Sequence, residues 1–158
     1  MRGGCNEMIF VTVGSVAPFD DLIREVDRLA EKGVVGDVVV QIANGTYVPK
    51  NAEWFRFKID LTEFYRPAEF IITHSGAGTL FEILKMGKKA ISVPNPKVVH
   101  NPDIIMKLSK EGHILLCPEL SQLEEKILQV RSWTPKGYKE RPCTIHEEIV
   151  KYLLGPSK

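Results

Sequence analysis

One short segment carries most of the residues that could do chemistry. It reads Thr73-His74-Ser75-Gly76-Ala77-Gly78-Thr79-Leu80-Phe81-Glu82, and it leaves an apolar run, passes two glycines and opens a stretch with helical spacing. A helix N-terminus presents free N–H groups and a partial positive charge, which suits a diphosphate. Gly76 and Gly78 let a backbone approach such a ligand closely. The segment predicts a phosphate site, with a plain packing turn as the equal alternative because such turns are common in α/β proteins.

Three side chains of this segment add specific chemistry. Thr79 offers a hydroxyl donor, and Glu82 lies three residues further along the same side of the predicted helix. A carboxylate at that place can accept two hydrogen bonds from a ribose diol; the alternative is a solvated helix acid. His74 ends the preceding apolar run, where it either contacts a phosphate or makes a local hydrogen bond.

Other nucleotide and metal motifs are absent from the sequence. The turn after the first apolar run, Gly14 to Pro18, has one glycine, and the second run ends in Gln41-Ile42-Ala43-Asn44 without an acidic residue. A dinucleotide fingerprint needs both features, so NAD binding is not expected.

Gly87-Lys88 fails the P-loop pattern, and there is no DxD, HExxH or GxSxG. The sequence therefore predicts no metal site, no cofactor and no hydrolase nucleophile.

Composition narrows the class of protein further. The 21 basic and 20 acidic residues give a formal charge of +1, which is not the basic balance of a nucleic-acid binder. Nowhere does an apolar run reach the roughly 18 residues that span a bilayer. Three cysteines without a CxxC pair indicate a reducing compartment. We expect a cytoplasmic protein, with residues 1–7 as a leader or a cloning remnant.

Short apolar runs alternate with amphipathic stretches, which indicates a parallel sheet wrapped by helices. We predict a Rossmann-like α/β fold, a parallel sheet of about six strands with helices on both faces. The expected strands are Met8–Val13, Asp37–Ile42, Phe55–Lys58, Glu69–Thr73, Ala90–Val93 and Ile114–Cys117, and the expected helices run from Pro18 to Gly33, Leu61 to Arg66, Gly76 to Met86 and Asp103 to Lys110.

The remaining chain predicts two further helices and the division into segments. Capping boxes Ser121/Glu124 and Thr144/Glu147 begin the last two helices. We expect one α/β domain over 8–133, a solvated basic connector over 134–142 and a C-terminal helix over 143–158. That helix either docks a partner or packs on its own sheet. Cys117 is expected in the core and His113 on the surface.

An ordered set of motifs resembles a known family. They are Phe10–Ser15 (FVTVGS), Phe19–Ile23, Val40–Asn44, Thr73–Leu84, Gly87, Val93–Asn95 and His100–Asp103, and together they cover the chain from Met8 onward. The set resembles the C-terminal, donor-binding domain of GT-B glycosyltransferases. The resemblance implies that the chain forms half of a GT-B fold and that residues 8–133 are a nucleotide-sugar-binding domain. The likeness extends to the single-domain soluble subunits of heterodimeric UDP-GlcNAc transferases of lipid-linked oligosaccharide synthesis, and to bacterial exopolysaccharide transferase subunits.

The resemblance implies a role for each matching residue. Gly14 and Ser15 would lie near the donor phosphates, with His74 beside them, and Glu82 would bind the ribose hydroxyls. The diphosphate and nucleoside would be bound by Ser75, Gly76, Ala77, Gly78 and Thr79. The sugar would meet His100, Asn101 and Asp103, in place of the His, Gln and Glu that the family usually has. Val99 and Asn101 replace the family's Asn and Gln, so the transferred hexose is GlcNAc or a relative of it.

The resemblance also implies an enzyme that works with a partner. The chain would be the donor-binding subunit of a UDP-sugar-dependent glycosyltransferase acting on a lipid-linked acceptor. A membrane-anchored GT-B partner subunit would hold the acceptor, supply the base and recruit this chain to the membrane periphery. No catalytic residue is nominated here, although His74 and His100 remain open. The alternatives are a non-catalytic nucleotide-sugar-binding or regulatory module, and a self-associating chain without a ligand.

Overall fold

A parallel sheet of six strands forms the centre of the fold. In the computed structural model, which describes residues 8–99 and 102–139, the strand order is β3-β2-β1-β4-β5-β6 and every pair is parallel. The strands are β1 (Ile9–Thr12), β2 (Val38–Gln41), β3 (Glu53–Phe55), β4 (Phe70–His74), β5 (Lys89–Val93) and β6 (Leu115–Leu116). The predicted Rossmann-like sheet is confirmed.

Helices cover both faces of the sheet, as predicted. They are α1 (Asp20–Glu31), α2 (Thr62–Tyr65), α3 (Ala77–Lys85), α4 (Pro102–Lys110) and α5 (Leu123–Ser132). Buried side chains of α1 and α5 share one core cluster with Ile9 and Val11, while those of α2, α3 and α4 share the other with Phe10. Successive strand residues point to opposite faces, so one strand serves both cores.

The strand order reverses between β1 and β4, and this reversal positions the site. From β1 the chain builds outward to β2 and β3, then returns to pair β4 on the other side of β1. Thr12 of β1 stands opposite Thr73 of β4, so these two strands end at the same level. Ligands of open α/β sheets bind in the crevice at such a reversal, beyond the carboxyl ends of the strands.

The predicted third strand begins two residues too late and ends three residues too late. Phe55–Lys58 was expected, but pairing with β2 starts at Glu53 and the strand ends at Phe55. Beyond it, the amide of Lys58 donates to the side-chain oxygen of Gln41 (3.1 Å). That amide is therefore bound by a buried side chain of the neighbouring strand and not by a strand carbonyl.

The predicted capping box at Ser121 is wrong. A 3-10 helix over Leu120–Gln122 precedes α5, and the Ser121 hydroxyl donates to the carboxylate of Glu119 (3.4 Å). Glu124 instead lies 3.3 Å from the ammonium of Lys32 at the end of α1. This ion pair joins two helices on one face of the sheet. The second predicted box, Thr144 and Glu147, lies outside the described residues, as does the C-terminal helix.

The described part of the connector, residues 134–139, packs against the body of the protein. The amide of Lys136 donates to the carbonyl of Gly112 (2.9 Å), and the Lys136 carbonyl lies 3.0 Å from Nδ1 of His113. The ring of Tyr138 contacts both His113 and Phe81. The expectation that His113 is a surface residue is wrong, because only 14% of its side chain is exposed. Cys117 is buried in the core as predicted.

No described helix is both long and apolar enough to cross a bilayer; α1, the longest of them, has 12 residues.

A buried carboxylate fixes the loop between β2 and β3. Asp27 of α1 is 4% exposed and accepts hydrogen bonds from the hydroxyl of Tyr47 (2.6 Å), the amide of Lys50 (3.1 Å), and the amide (2.8 Å) and side chain (3.1 Å) of Asn51. Burial alone would raise the pKa of Asp27, but these donors favour the carboxylate and bring the pKa below its ordinary value of 3.8. The loop is thus held on α1 by one charge.

Replacing this carboxylate should destabilise the fold. We expect Asp27→Ala to lower the free energy of unfolding by about 2–4 kcal/mol, because several buried donors lose their acceptor. Urea unfolding at pH 7 measures the change. The matched control is Asp21→Ala on the exposed side of the same helix, which should stay within about 0.5 kcal/mol.

The same carboxylate gives a dependence on pH. The pKa of Asp27 in the folded protein lies below 3.8, the value for the unfolded chain. The stability that this carboxylate contributes is therefore fully present above pH 3.8 and is lost as the pH falls through the folded pKa. Between pH 4.5 and about 2 the parent should therefore lose more stability than Asp27→Ala. Equal losses in the two proteins would contradict the assignment.

Candidate functional site

The imidazole of His74 lies at the centre of the predicted site, at the end of β4. Its ring is wedged between Gly14, just after β1, and Gly76, just after β4. A Cβ built on Gly14 would lie 2.6 Å from Nε2, and one built on Gly76 would collide with the same atom. On its other side, Nδ1 lies 3.3 Å from the hydroxyl oxygen of Thr73. While the ring occupies this position, neither residue 14 nor residue 76 can carry a Cβ.

Three adjoining cavities extend from His74 along the carboxyl ends of the strands. The first, of about 200 Å³, brings together Gly14, Val16, Ala17, His74, Ser75, Gly76, Ala77, Asn95, Val98, Val99 and Ile105. The second, of about 250 Å³, is lined by Thr12, Val13, Gly14, Ser15, Val16, Gln41, Ala43, Phe57, Lys58, Ile59, Leu61, His74 and Thr79. The third, of about 350 Å³, is lined by Ile59, Asp60, Leu61, Thr62, Tyr65, Glu82, Lys85 and Met86.

Shared lining residues join these cavities into one groove. Gly14 and His74 line both the first and the second cavity, and Ile59 and Leu61 line both the second and the third. We call this continuous surface the donor groove. It passes the start of α3 and reaches Glu82, which is exposed one helical turn further along.

The N-terminus of α3 gives the middle of the groove its electrostatic character. Gly76 holds the N-cap position, where it has no side chain to accept the first helical amides, and the first turn contains no acidic residue. Those amides and the helix dipole make a partial positive charge. Ala77 and Thr79 of this turn line the first and second cavities. The arrangement can bind an anionic group of the size of a phosphate.

Two asparagine side chains hold the loops that form the groove. Asn95 is buried and donates to the carbonyl of Pro18 (3.3 Å), while its side-chain oxygen accepts from the amide of Lys97 (3.1 Å). The loop after β5 is thereby joined to the loop after β1. Asn44, after β2, donates to the carbonyl of Ser15 (3.1 Å). The groove is therefore built from loops that are joined to one another.

Ser75 lines the first cavity, but its hydroxyl is already paired inside the sheet. Ser75 is 3% exposed, and its hydroxyl lies 2.8 Å from that of Ser92 in β5. The predicted donor-binding role of Ser75 is thus reduced to its backbone, because the hydroxyl pairs inside the sheet.

The other predicted residues line the groove, are exposed in the first turn of α3 or α4, or lie outside the described residues. Gly14, Ser15, His74, Gly76, Ala77, Thr79 and Glu82 all line the groove. Gly78 is exposed in the first turn of α3. Asp103 is exposed in the first turn of α4, the helix whose Ile105 lines the first cavity. His100 and Asn101 lie outside the described residues. Within 8–99 and 102–139, no cluster of His, Cys, Asp and Glu side chains is arranged to hold a metal ion.

Several groove residues were missed by sequence reasoning. Phe57, Ile59 and Leu61 come from the loop before α2, and Ile59 is 96% exposed. Tyr65 reaches the third cavity from α2. Only Ile59 lay in a predicted loop, where a large apolar side chain was the available signal. The other three lay in a predicted strand or helix, which gave an apolar side chain an ordinary explanation.

The wedge around His74 can be tested directly. We expect Gly76→Ala to lower the free energy of unfolding by about 1–3 kcal/mol, since the new methyl group overlaps the imidazole. In a His74→Ala background the same change should cost less than about 0.5 kcal/mol, because the ring is gone. The control is Gly78→Ala, where a Cβ meets nothing within 4 Å and the helix gains propensity.

Thermal and urea unfolding of the four variants give the coupling. A cost of Gly76→Ala that is the same with and without His74 would show that the ring does not require the glycine.

Comparison with protein families identifies the chain. A family model described as "Glycosyltransferase family 28 C-terminal domain" matches residues 8–151. The human protein "UDP-N-acetylglucosamine transferase subunit ALG13" is 36% identical over 123 residues, which is 69% of this chain and 11% of the human protein. The mouse protein of that name is 34% identical over 122 residues, covering 68% and 10%. The chain thus spans about a tenth of the length of these two relatives. For the Yarrowia lipolytica protein of the same name, the identity is 25% over 69% of this chain and 64% of that one.

Solved structures show the same fold. The NMR structure of ALG13 superposes with a TM-score of 0.63 at 16% identity, covering 94% of this chain and 98% of that one. The crystal structure of Acinetobacter baumannii MurG gives 0.59 at 20% identity, covering 94% of this chain and 49% of that one. The fold that was predicted as half of a larger glycosyltransferase is confirmed, as is the resemblance to this enzyme family. The chain belongs to the glycosyltransferase family 28 C-terminal domain family.

Proposed function

We propose that the chain is the donor-binding subunit of a UDP-sugar-dependent glycosyltransferase. The observation that carries this proposal is the donor groove, in which the uncapped N-terminus of α3 lies between His74 and Glu82. A nucleoside diphosphate sugar has an anionic diphosphate at its centre, with the nucleoside on one side and the transferred sugar on the other. The groove offers a site for each of these parts in that order.

The diphosphate would lie at the start of α3. The first-turn amides together with the Thr79 hydroxyl can donate to its oxygens. During transfer the bond from the anomeric carbon to the diphosphate breaks and negative charge develops on the leaving group. Donors that are already oriented stabilise that charge without reorganising, which is a large contribution to catalysis.

The nucleoside would lie over the loop before α2. Ile59 exposes nearly its whole side chain between the second and third cavities, and Phe57 is 63% exposed nearby. A flat base can cover this apolar surface, and burying apolar area contributes about 25 cal/mol per Å². The ribose would then reach Glu82, whose carboxylate accepts hydrogen bonds from a diol.

The sugar would lie in the first cavity, beside Asn95 and Val99. Predicted sugar contacts His100, Asn101 and Asp103 follow directly along the chain. The names of the relatives support GlcNAc as the transferred sugar, so we propose UDP-GlcNAc as the donor. A related hexose is the alternative, because Val99 and Asn101 differ from the residues that the family usually has there.

A partner subunit would complete the active site. Val16, Phe57, Ile59 and Val99 surround the groove, and each exposes more than 60% of its side chain. Apolar groups at a rim of this kind are typical of a surface that another domain covers. The relatives are named as subunits, which supports a partner. We propose a membrane-anchored partner that holds the lipid-linked acceptor and the base, and that keeps this cytoplasmic chain at the membrane periphery.

Nucleotide binding tests the donor site. UDP or UDP-GlcNAc should bind to the complete chain and NAD should not. Glu82→Ala should weaken UDP binding by about 1.5–3 kcal/mol, the usual contribution of hydrogen bonds to a charged group. The matched control is Glu125→Ala, an exposed acid on α5. Titration calorimetry measures UDP binding to the parent, Glu82→Ala and Glu125→Ala. Equal UDP affinity in Glu82→Ala and the parent would show that Glu82 is only a solvated acid.

Activity tests the subunit proposal and separates it from a non-catalytic binding module. The chain alone should show little or no transfer, because the acceptor must be held in line with the anomeric carbon and such positioning lowers a barrier by about 7–11 kcal/mol. Radiolabelled UDP-GlcNAc with lipid-linked acceptor, with and without a co-expressed partner, measures this. Robust turnover by the lone chain would place a base within it, with His74 and His100 as the candidates. Binding without turnover in either case would favour the regulatory module.

A further inference from the structure

Tyr65 is a core residue with an unexplained hydroxyl. The side chain is 2% exposed, and its ring makes an edge contact with Phe10 (centroids 5.7 Å apart, 67° between planes). The hydroxyl oxygen is fully buried and meets no hydrogen-bond partner among the described residues. A buried hydroxyl without a partner destabilises a protein, and phenylalanine would fill the same space without that cost.

Tyr65 lies at the nucleoside end of the donor groove, where it lines the third cavity together with Glu82. Burial raises the pKa of the Tyr65 phenol, and the charges of the Glu82 and Asp60 carboxylates raise it further. The Glu82 carboxylate is near enough to the hydroxyl to raise this pKa, to a smaller extent, by hydrogen bonding as well. The phenol therefore keeps its proton at neutral pH and can act only as a donor toward a carboxylate.

Of the two carboxylates that line this cavity, that of Glu82 can accept the hydrogen bond from the Tyr65 hydroxyl. The Asp60 carboxylate accepts from the amide of Thr62 (2.8 Å) at the start of α2, so it is engaged in capping that helix. Lys85 lies one turn of α3 from Glu82 and adds a positive group to the same cavity. Glu82 is exposed on α3 and can turn toward Tyr65 by changing its own rotamer.

We propose that Tyr65 is a positioning residue for Glu82, and that the pair makes the groove selective for ribonucleotides. The inference rests on the proposed function of the groove. In the bound state the Tyr65 hydroxyl donates to one oxygen of the Glu82 carboxylate and fixes its orientation. The other oxygen then accepts from the ribose diol. A nucleotide without the diol gains nothing from this arrangement, so the selectivity depends on Tyr65.

The test compares two nucleotides against three proteins. UDP and 2′,3′-dideoxy-UDP are titrated by calorimetry into the parent chain, Tyr65→Phe and the matched control Tyr138→Phe. Tyr138 packs on Phe81 of the same helix. We expect the parent to prefer UDP. Tyr65→Phe should weaken UDP binding about three- to tenfold and dideoxy-UDP binding less than about twofold, since one hydrogen bond to a charged group is lost. Tyr138→Phe should change neither affinity.

Thermal unfolding accompanies the titrations. Tyr65→Phe should melt at the same or a higher temperature than the parent, because it removes a buried hydroxyl that has no partner in the described structure. Unchanged UDP affinity in Tyr65→Phe would overturn the inference while leaving the proposed function intact, as would an equal loss for both nucleotides. A parent chain that binds neither nucleotide would overturn the proposed function and this inference with it.

Discussion

The space around the His74 ring is the constraint on which the site depends. The imidazole occupies the point where β1 and β4 end together, and it leaves no room for a Cβ on Gly14 or on Gly76. Because Gly76 is also the N-cap of α3, the same glycine leaves the first helical amides without a side-chain acceptor. Packing around one ring is thus compatible only with a glycine at the N-cap, and that glycine leaves the first amides of α3 available to other acceptors. The strand reversal determines where this happens in the fold.

Buried polar groups hold the loops that form the groove. Asp27 fixes the loop after β2, Asn95 joins the loops after β1 and β5, and Gln41 binds the amide of Lys58. Each of these side chains bonds to backbone groups of a distant segment. Such bonds order a loop before any ligand arrives, which lowers the entropy that a ligand must overcome on binding.

Much of the fold could be predicted from the sequence, because its signals are local. Alternating short apolar runs marked all six strands, and glycines such as Gly33 and Gly87, at φ of 75° and 70°, ended the helices where expected. Of the groove, the segment from His74 to Glu82 could be predicted from the sequence, and Gly14 and Ser15 from the family resemblance. The pairing of Ser75 with Ser92 joins residues 17 positions apart, and no local pattern shows it. The position of Tyr65 in the groove could not be predicted, because it depends on how the helices pack beside one another in the fold.

The lengths of the strands have a consequence for association between copies of the chain. The central strands β4 and β5 have five residues each, whereas the edge strands β3 and β6 have three and two. An unpaired strand edge is a template on which another chain can add a strand, and short edges are one way in which natural proteins limit this. Edge-to-edge aggregation therefore finds little backbone to extend. Assembly with other proteins is left to side-chain surfaces, where selectivity can be built residue by residue.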